Sequence, residues 1–216
     1  PLKTESIHVA VAAVDEVVRT YADACIHLLG FAKADDIGSF IKYRVASFDT
    51  TSPLIRAFKD ARRNYFLRDE QGRMQYYTAI RVPNALENNV LQRQAKMGRL
   101  RQESLLALEV VALQALRGYN RGEVSAETAL DAVIDYARPF EGAANLSEAA
   151  IEQRLERLRG QYASTLGARP WERCSCAVCA KAAIEVAIFR GSNRNKRRGI
   201  HNLGVFGQHL KENWGS

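Results

Sequence analysis

The segment Cys25-Ile26-His27-Leu28-Leu29-Gly30, followed fifteen residues on by Val45-Ala46-Ser47-Phe48-Asp49-Thr50-Thr51-Ser52-Pro53, decides the fold class. Each begins as a short apolar run, bounded by Gly30 or Asp49, and reads as a buried strand. Between them, Ile37, Phe40 and Ile41 give a short helix around Asp35 to Tyr43 an inward face. Upstream, Ile7, Val11, Val14, Val18, Tyr21 and Cys25 recur at spacings of four and three, so one helix face is predicted to run from a Thr4 cap to Cys25. Helix, strand, helix, strand is βα alternation, which implies an α/β fold with a parallel sheet or barrel.

Outward from this unit, the sequence divides into further parts. Met74 to Val82 is rich in β-formers and, with Asp69-Glu70-Gln71-Gly72 before it as a turn, predicts a β-hairpin. From Glu87 to about Tyr162 the pattern is helical. One helix, Leu100 to Leu116, is apolar on most sides; another is capped by Ser125 and stops before Pro139. Ile184 to Phe189 predicts a strand, and a last helix starts near His201. The expected divisions are 1–60, 61–86, 87–165 and 166–216.

The chain has 216 residues, of which 47% are hydrophobic and 25% charged, so global disorder and a disulfide miniprotein are excluded. No apolar run reaches the roughly 18–20 residues of a membrane span. Pro1 to Glu5 carries no signal-peptide core, so a cytoplasmic protein is the expectation.

Lys and Arg exceed Asp and Glu by 31 to 24, a net charge of +7. Five of the cations fall in nine positions without an acid, Arg190-Gly191-Ser192-Asn193-Arg194-Asn195-Lys196-Arg197-Arg198. Arg190, Arg194, Lys196, Arg197 and Arg198 are expected to form a basic loop that takes phosphates, against the plainer reading of a solvated loop.

Cys174, Cys176 and Cys179 form C-x-C-x2-C. A tight cluster in a reducing compartment favours a metal over disulfides. Zinc takes four tetrahedral ligands. His201, in Gly199-Ile200-His201-Asn202-Leu203, is taken as the fourth, with Cys25, His8, His27 and His209 as alternatives. Four protein ligands make such a zinc structural.

Four matches in the same order carry a resemblance. Val45 to Pro53 is similar to the strand and nucleophile loop of the tRNA-guanine transglycosylases, where F-D-x3-P holds the nucleophilic aspartate. His27 to Gly30 resembles the strand end that borders their base pocket. Asn64 to Val82 resembles their hairpin, and the cysteines with Ile200-His201-Asn202-Leu203 resemble their zinc site. The long helical stretch and the basic segment look more like the branch that places 7-deazaguanines in DNA. The resemblance implies the last βα units of a TIM barrel, a helical insertion and a zinc subdomain, the C-terminal half of such an enzyme.

It further implies exchange of guanine, in DNA or tRNA, for a 7-deazaguanine such as 7-cyano-7-deazaguanine. Asp49 would be the nucleophile, Leu29, Gly30 and Phe48 would border the base, and Arg56 would replace a family arginine at a shifted register. An N-terminal half-barrel chain or a homodimer would complete the enzyme. The competing reading is a non-catalytic, zinc-containing nucleic-acid-binding module.

Overall fold

A computed structural model describes residues 3–31, 34–98, 100–142 and 146–214, with the side chains of 34, 35, 192–194 and 214 left out. Helix α1 (Thr4–Val18) leads into strand β1 (Ile26–Leu28), a 3-10 segment (Ala34–Phe40), strand β2 (Val45–Phe48) and helix α2 (Ser52–Lys59). β1 and β2 pair in parallel, as the alternation predicts. Ile26, Val45, Ile37, Phe40, Phe31 and Val11 close a small core around them.

The helix expected to reach Cys25 is shorter. It ends at Val18, where the Thr20 hydroxyl bonds the Val17 carbonyl and the chain turns towards β1. Tyr21 and Cys25 are exposed rather than in the core, and Val14 is half-exposed. Thr4 does not cap the helix; its hydroxyl bonds Asp36. Asp15 is buried instead: its carboxylate accepts the Arg44 N–H at 2.7 Å and Arg19 Nε at 2.7 Å, which ties α1 to β2. Ile41, expected to face inward, is exposed.

Strands β3 (Tyr65–Arg68) and β4 (Met74–Tyr77) form the predicted hairpin, Tyr65 opposite Tyr77. Its expected continuation does not stay in it. Strand β5 (Ile80–Arg81) leaves to pair in parallel with β6 (Ile188–Phe189). The strand expected over 184–189 is thus only its last two residues, after a 3-10 segment (Ala183–Val186).

Helices α3 (Asn89–Lys96), α4 (Gln102–Arg121), α5 (Ala126–Gly142) and α6 (Glu148–Ala168) fill the middle of the chain. α4 is not buried all round. Leu105, Ala112, Leu113 and Leu116 face the core, while Val110 and Val111 lie half-exposed. α5 carries the Ser125 cap, whose oxygen accepts the Thr128 N–H, but it runs through Pro139. Pro139 has no N–H to donate, so the helix continues for less than a turn beyond it, to Gly142, without that hydrogen bond.

Short helix α7 (Pro170–Arg173) precedes Cys174, and α8 (Ala177–Ala182) is capped by Cys176 and contains Cys179. The last helix, α9 (Ser192–Trp214), begins nine residues before His201, so the basic segment is helical from Ser192 onward and not a loop. α9 spans both cores: Val205 packs in the main one with the hairpin and α4–α6, and Leu210 against the β1–β2 core. Among the described residues the strands form three two-stranded sheets, β1–β2 and β5–β6 parallel and β3–β4 antiparallel, in a mostly helical chain, and they close no barrel.

Candidate active site and metal centre

Asp49 follows β2 directly, at the carboxyl end of the parallel pair, where open α/β sheets place ligands. Its backbone continues the ladder: Asp49 N–H donates to Leu28 O and Phe31 N–H to Asp49 O. The side chain is 59% exposed. Gly30 has φ +62°, a conformation costly for other residues, and this turn aims its N–H at Asp49 Oδ1, 3.0 Å away. His27 Nε2 faces the same oxygen at 3.4 Å.

The β1–β2 register slips by one residue after Ile26, so His27 lies opposite Ser47. Their side chains meet with His27 Nδ1 2.7 Å from Ser47 Oγ. Leu29, expected beside the base, is 84% exposed at the same strand end. Phe48 is half-buried, edge-on to Phe31 and to Phe206 of α9. It therefore anchors β2 to α9, on the side of the strand turned to the core.

The four expected metal ligands converge. Cys174, Cys176, Cys179 and His201 bring their donor atoms within 4.8 Å of one another. Cys25, His8, His27 and His209 stand apart from this group. His201 Nδ1 lies 3.6, 3.4 and 3.3 Å from the three sulfurs in turn. Bonds of about 2.3 Å to sulfur and 2.0 Å to nitrogen at tetrahedral angles give about 3.5 Å between such donors. The four groups thus fit one tetrahedral ion.

The surroundings prepare them for it. His201 Nε2–H donates to Phe66 O at 2.8 Å, which leaves the Nδ1 lone pair to the metal. The Cys176 N–H faces Cys174 Sγ and the Cys179 N–H faces Cys176 Sγ, at 3.5 and 3.3 Å. Hydrogen bonding with Cys179 and His201 holds the Cys174 thiol well below its usual range, while Cys174 and burial push the Cys179 thiol up, so the cluster shares its protons unevenly. Burial and the neighbouring Cys179 push the Tyr65 hydroxyl far above its usual range, so it remains a neutral O–H, 3.3 Å from Cys179 Sγ.

The six residues expected to take phosphate, Arg56 and the five of the basic segment, divide. Arg198 has no exposed surface. Its guanidinium donates to Ala57 O, Val186 O, Ile188 O and Asn195 Oδ1, and burial pulls its pKa down to about 10. Arg190 pairs with the buried Glu109 and is itself 17% exposed. Both are corrected from phosphate contacts to internal ties: Arg198 lies on the side of α9 that turns inward, and Arg190, directly after β6, reaches the buried Glu109 of α4. Lys196 and Arg197 are exposed; the Arg194 side chain lies outside the described residues. Arg56 is half-buried, its Nη1 2.9 Å from Tyr76 Oη and its plane 5.3 Å from that ring.

Asn202 was not singled out from the sequence, yet it joins the two centres. Fully buried, its Nδ2 donates to Pro53 O, just after the Asp49 loop, and to Asn64 O before β3. The next residue back is His201 of the Cys3His cluster. Gly199 allows the approach: a Cβ there would lie 3.2 Å from Leu54 Cδ2 of α2.

A protein of Salmonella montevideo described as a DNA-guanine transglycosylase is 38% identical to this chain over 211 residues. The chain is similar to a transglycosylase. The match takes in 98% of this chain and 47% of that transglycosylase, so the chain spans about half the length of its relative. The likeness supports the transglycosylase resemblance carried by the motifs. No family model matches the chain. Among the described residues no helix is long and apolar enough to cross a membrane.

Proposed function

We propose that this chain is the nucleophile-bearing, C-terminal half of a guanine transglycosylase that acts on DNA. The observation that carries the reading is Asp49, exposed at the carboxyl end of a parallel strand pair with one carboxylate oxygen held by a backbone N–H. In this reading Asp49 attacks C1′ of a guanosine through an oxocarbenium-like transition state. The Asp–C1′ bond forms as the C1′–N9 bond breaks, and the electron pair leaves with guanine, which takes up a proton. A 7-deazaguanine, such as 7-cyano-7-deazaguanine, then attacks C1′ through its own N9, loses the N9 proton and frees the carboxylate. One proton is taken up and one released, so the exchange needs no cofactor in the chemical steps. The target base has to leave its stack to reach Asp49.

The Cys3His cluster would hold a structural zinc that fixes α8, α9 and β3 to one another. Lys196 and Arg197 supply the cations for phosphate on α9, and Arg56 of α2 lies over the Tyr76 ring. The parallel pair would be the last βα units of a barrel completed by the other half of the enzyme. Support comes from the surface of this unit: His27, Ala46 and Ser47 are exposed on the pair, and Val9, Val17 and Tyr21 are 72%, 61% and 63% exposed beside it. Parallel sheets are ordinarily covered on both faces.

The test combines the chain with its other half, guanine-containing DNA and a labelled 7-deazaguanine. Label enters the DNA, and Asp49→Asn abolishes both incorporation and any adduct stable to denaturation. Undiminished incorporation by Asp49→Asn rejects the nucleophile assignment. Incorporation into tRNA but not DNA moves the substrate to tRNA.

A further inference from the structure

Two donors converge on the same oxygen of Asp49. The Gly30 N–H reaches Oδ1 at 3.0 Å, and His27 Nε2 faces Oδ1 at 3.4 Å. Among the described residues no donor reaches Oδ2. Behind His27 stands Ser47, its Oγ 2.7 Å from Nδ1. A hydroxyl that donates to Nδ1 keeps the imidazole proton on Nε2, pointed at Asp49. Ser47, His27 and Asp49 thus stand in line on the exposed face of the parallel pair, joined by one hydrogen bond and one 3.4 Å contact. This line depends on the register slip after Ile26, which sets His27 across from Ser47.

We infer that His27, held by Ser47, is a positioning residue that reserves Asp49 Oδ2 as the attacking oxygen. This rests on the reading of Asp49 as nucleophile. A carboxylate free to rotate presents either oxygen in many directions; one pinned at Oδ1 offers Oδ2 in a single direction, which favours the near-attack geometry. The His27–Oδ1 contact is long, and such contacts in unliganded sites tighten when substrate binds.

The arrangement acts in both half-reactions. Once Oδ2 is bonded to C1′, Oδ1 is the carbonyl oxygen of the glycosyl ester. When the incoming base attacks C1′, the Oδ2–C1′ bond breaks and its electron pair returns to the carboxylate. The His27 and Gly30 N–H groups then face the atom on which negative charge builds, where fixed donors lower the barrier. His27 keeps its proton throughout.

The experiment uses the complete enzyme, both halves together, in the labelled-base assay. His27→Phe lowers kcat on the order of 100-fold and leaves KM for DNA within about twofold. The covalent adduct on Asp49 accumulates in that variant, because release of the ester loses its donor. His27→Gln, whose amide N–H can take the place of Nε2–H, restores most of kcat, and Ser47→Ala gives a smaller loss. Unchanged kcat in His27→Phe overturns the inference, as does a failure of His27→Gln to rescue. Asp49→Asn separates the two claims. If Asp49→Asn is inactive and His27→Phe is not impaired, only the positioning role falls; if Asp49→Asn is active, the underlying reading falls.

Discussion

Arg198 and Arg197 are neighbours with the same side chain and opposite roles. Arg198 spans three buried carbonyls, of Ala57, Val186 and Ile188, and its removal leaves them bare. Each unsatisfied buried group costs about 1–3 kcal/mol, so Arg198→Met is expected to destabilise the fold by about 3 kcal/mol in urea titration. Replacing exposed Lys196 and Arg197 by Ala should change stability by less than about 0.5 kcal/mol. It should instead lower the salt slope of DNA binding by about 2. An unchanged slope would remove α9 from the DNA interface.

Asp15 gives the pH counterpart. The Arg44 backbone N–H, then Arg19, hold its carboxyl below the usual range near 3.8. A depressed folded pKa means stabilisation that is present above the unfolded value and lost as pH falls through the folded one. Asp15→Asn should therefore lower the denaturant midpoint at pH 7, with the gap to the parent closing below about pH 4. A gap independent of pH would show that charge is not what Asp15 contributes.

At the scale of elements, α2 and α9 are the pair that matters. Gly199 sits where Leu54, Ala57 and Phe58 of α2 press against α9. Ala there gains up to about 1 kcal/mol of helix propensity and displaces the Leu54 tip by a few tenths of an ångström, so its net effect is near zero. Gly199→Val adds bulk that α2 cannot absorb and should cost about 1–3 kcal/mol, measured by thermal melting. The hairpin and the parallel pair were legible because their signals are local: alternation, turn residues, short apolar runs. The end of α1 and the helical start of α9 were not. The apolar spacing at Tyr21 and Cys25 continues after the hydrogen-bonded helix has stopped, and a run of Arg, Asn, Ser and Gly looks like a loop until a core takes up one side of it.

For the whole molecule, α9 connects the cysteine cluster, the hairpin and the strand pair, so the metal should support more than its own ligands. One zinc per chain is expected. A chelator that removes it should lower Tm by roughly 10 °C, the equivalent of about 4 kcal/mol in a domain of this size. Amide exchange should rise in 52–59 as well as in 174–182, because Asn202 of α9 holds Pro53 O. Faster exchange confined to the cysteines would show that the centres are uncoupled. The exposed apolar residues of α1 predict that they become protected when the other half is added.

The sequence alone pointed to the four residues that cluster as candidate metal ligands, to the candidate nucleophile and to the parallel pair that presents it. C-x-C-x2-C, a following histidine and a strand ending in Asp are short-range patterns, and the chemistry of those side chains is independent of what surrounds them. Tertiary structure decided which cations face inward, that His27 stands behind Asp49, and that Asn202 ties the loop to the cluster. Those facts come from a one-residue slip between two strands and from the packing of α9 against α2. Both are set by contacts between residues distant in the chain, which local periodicity does not encode.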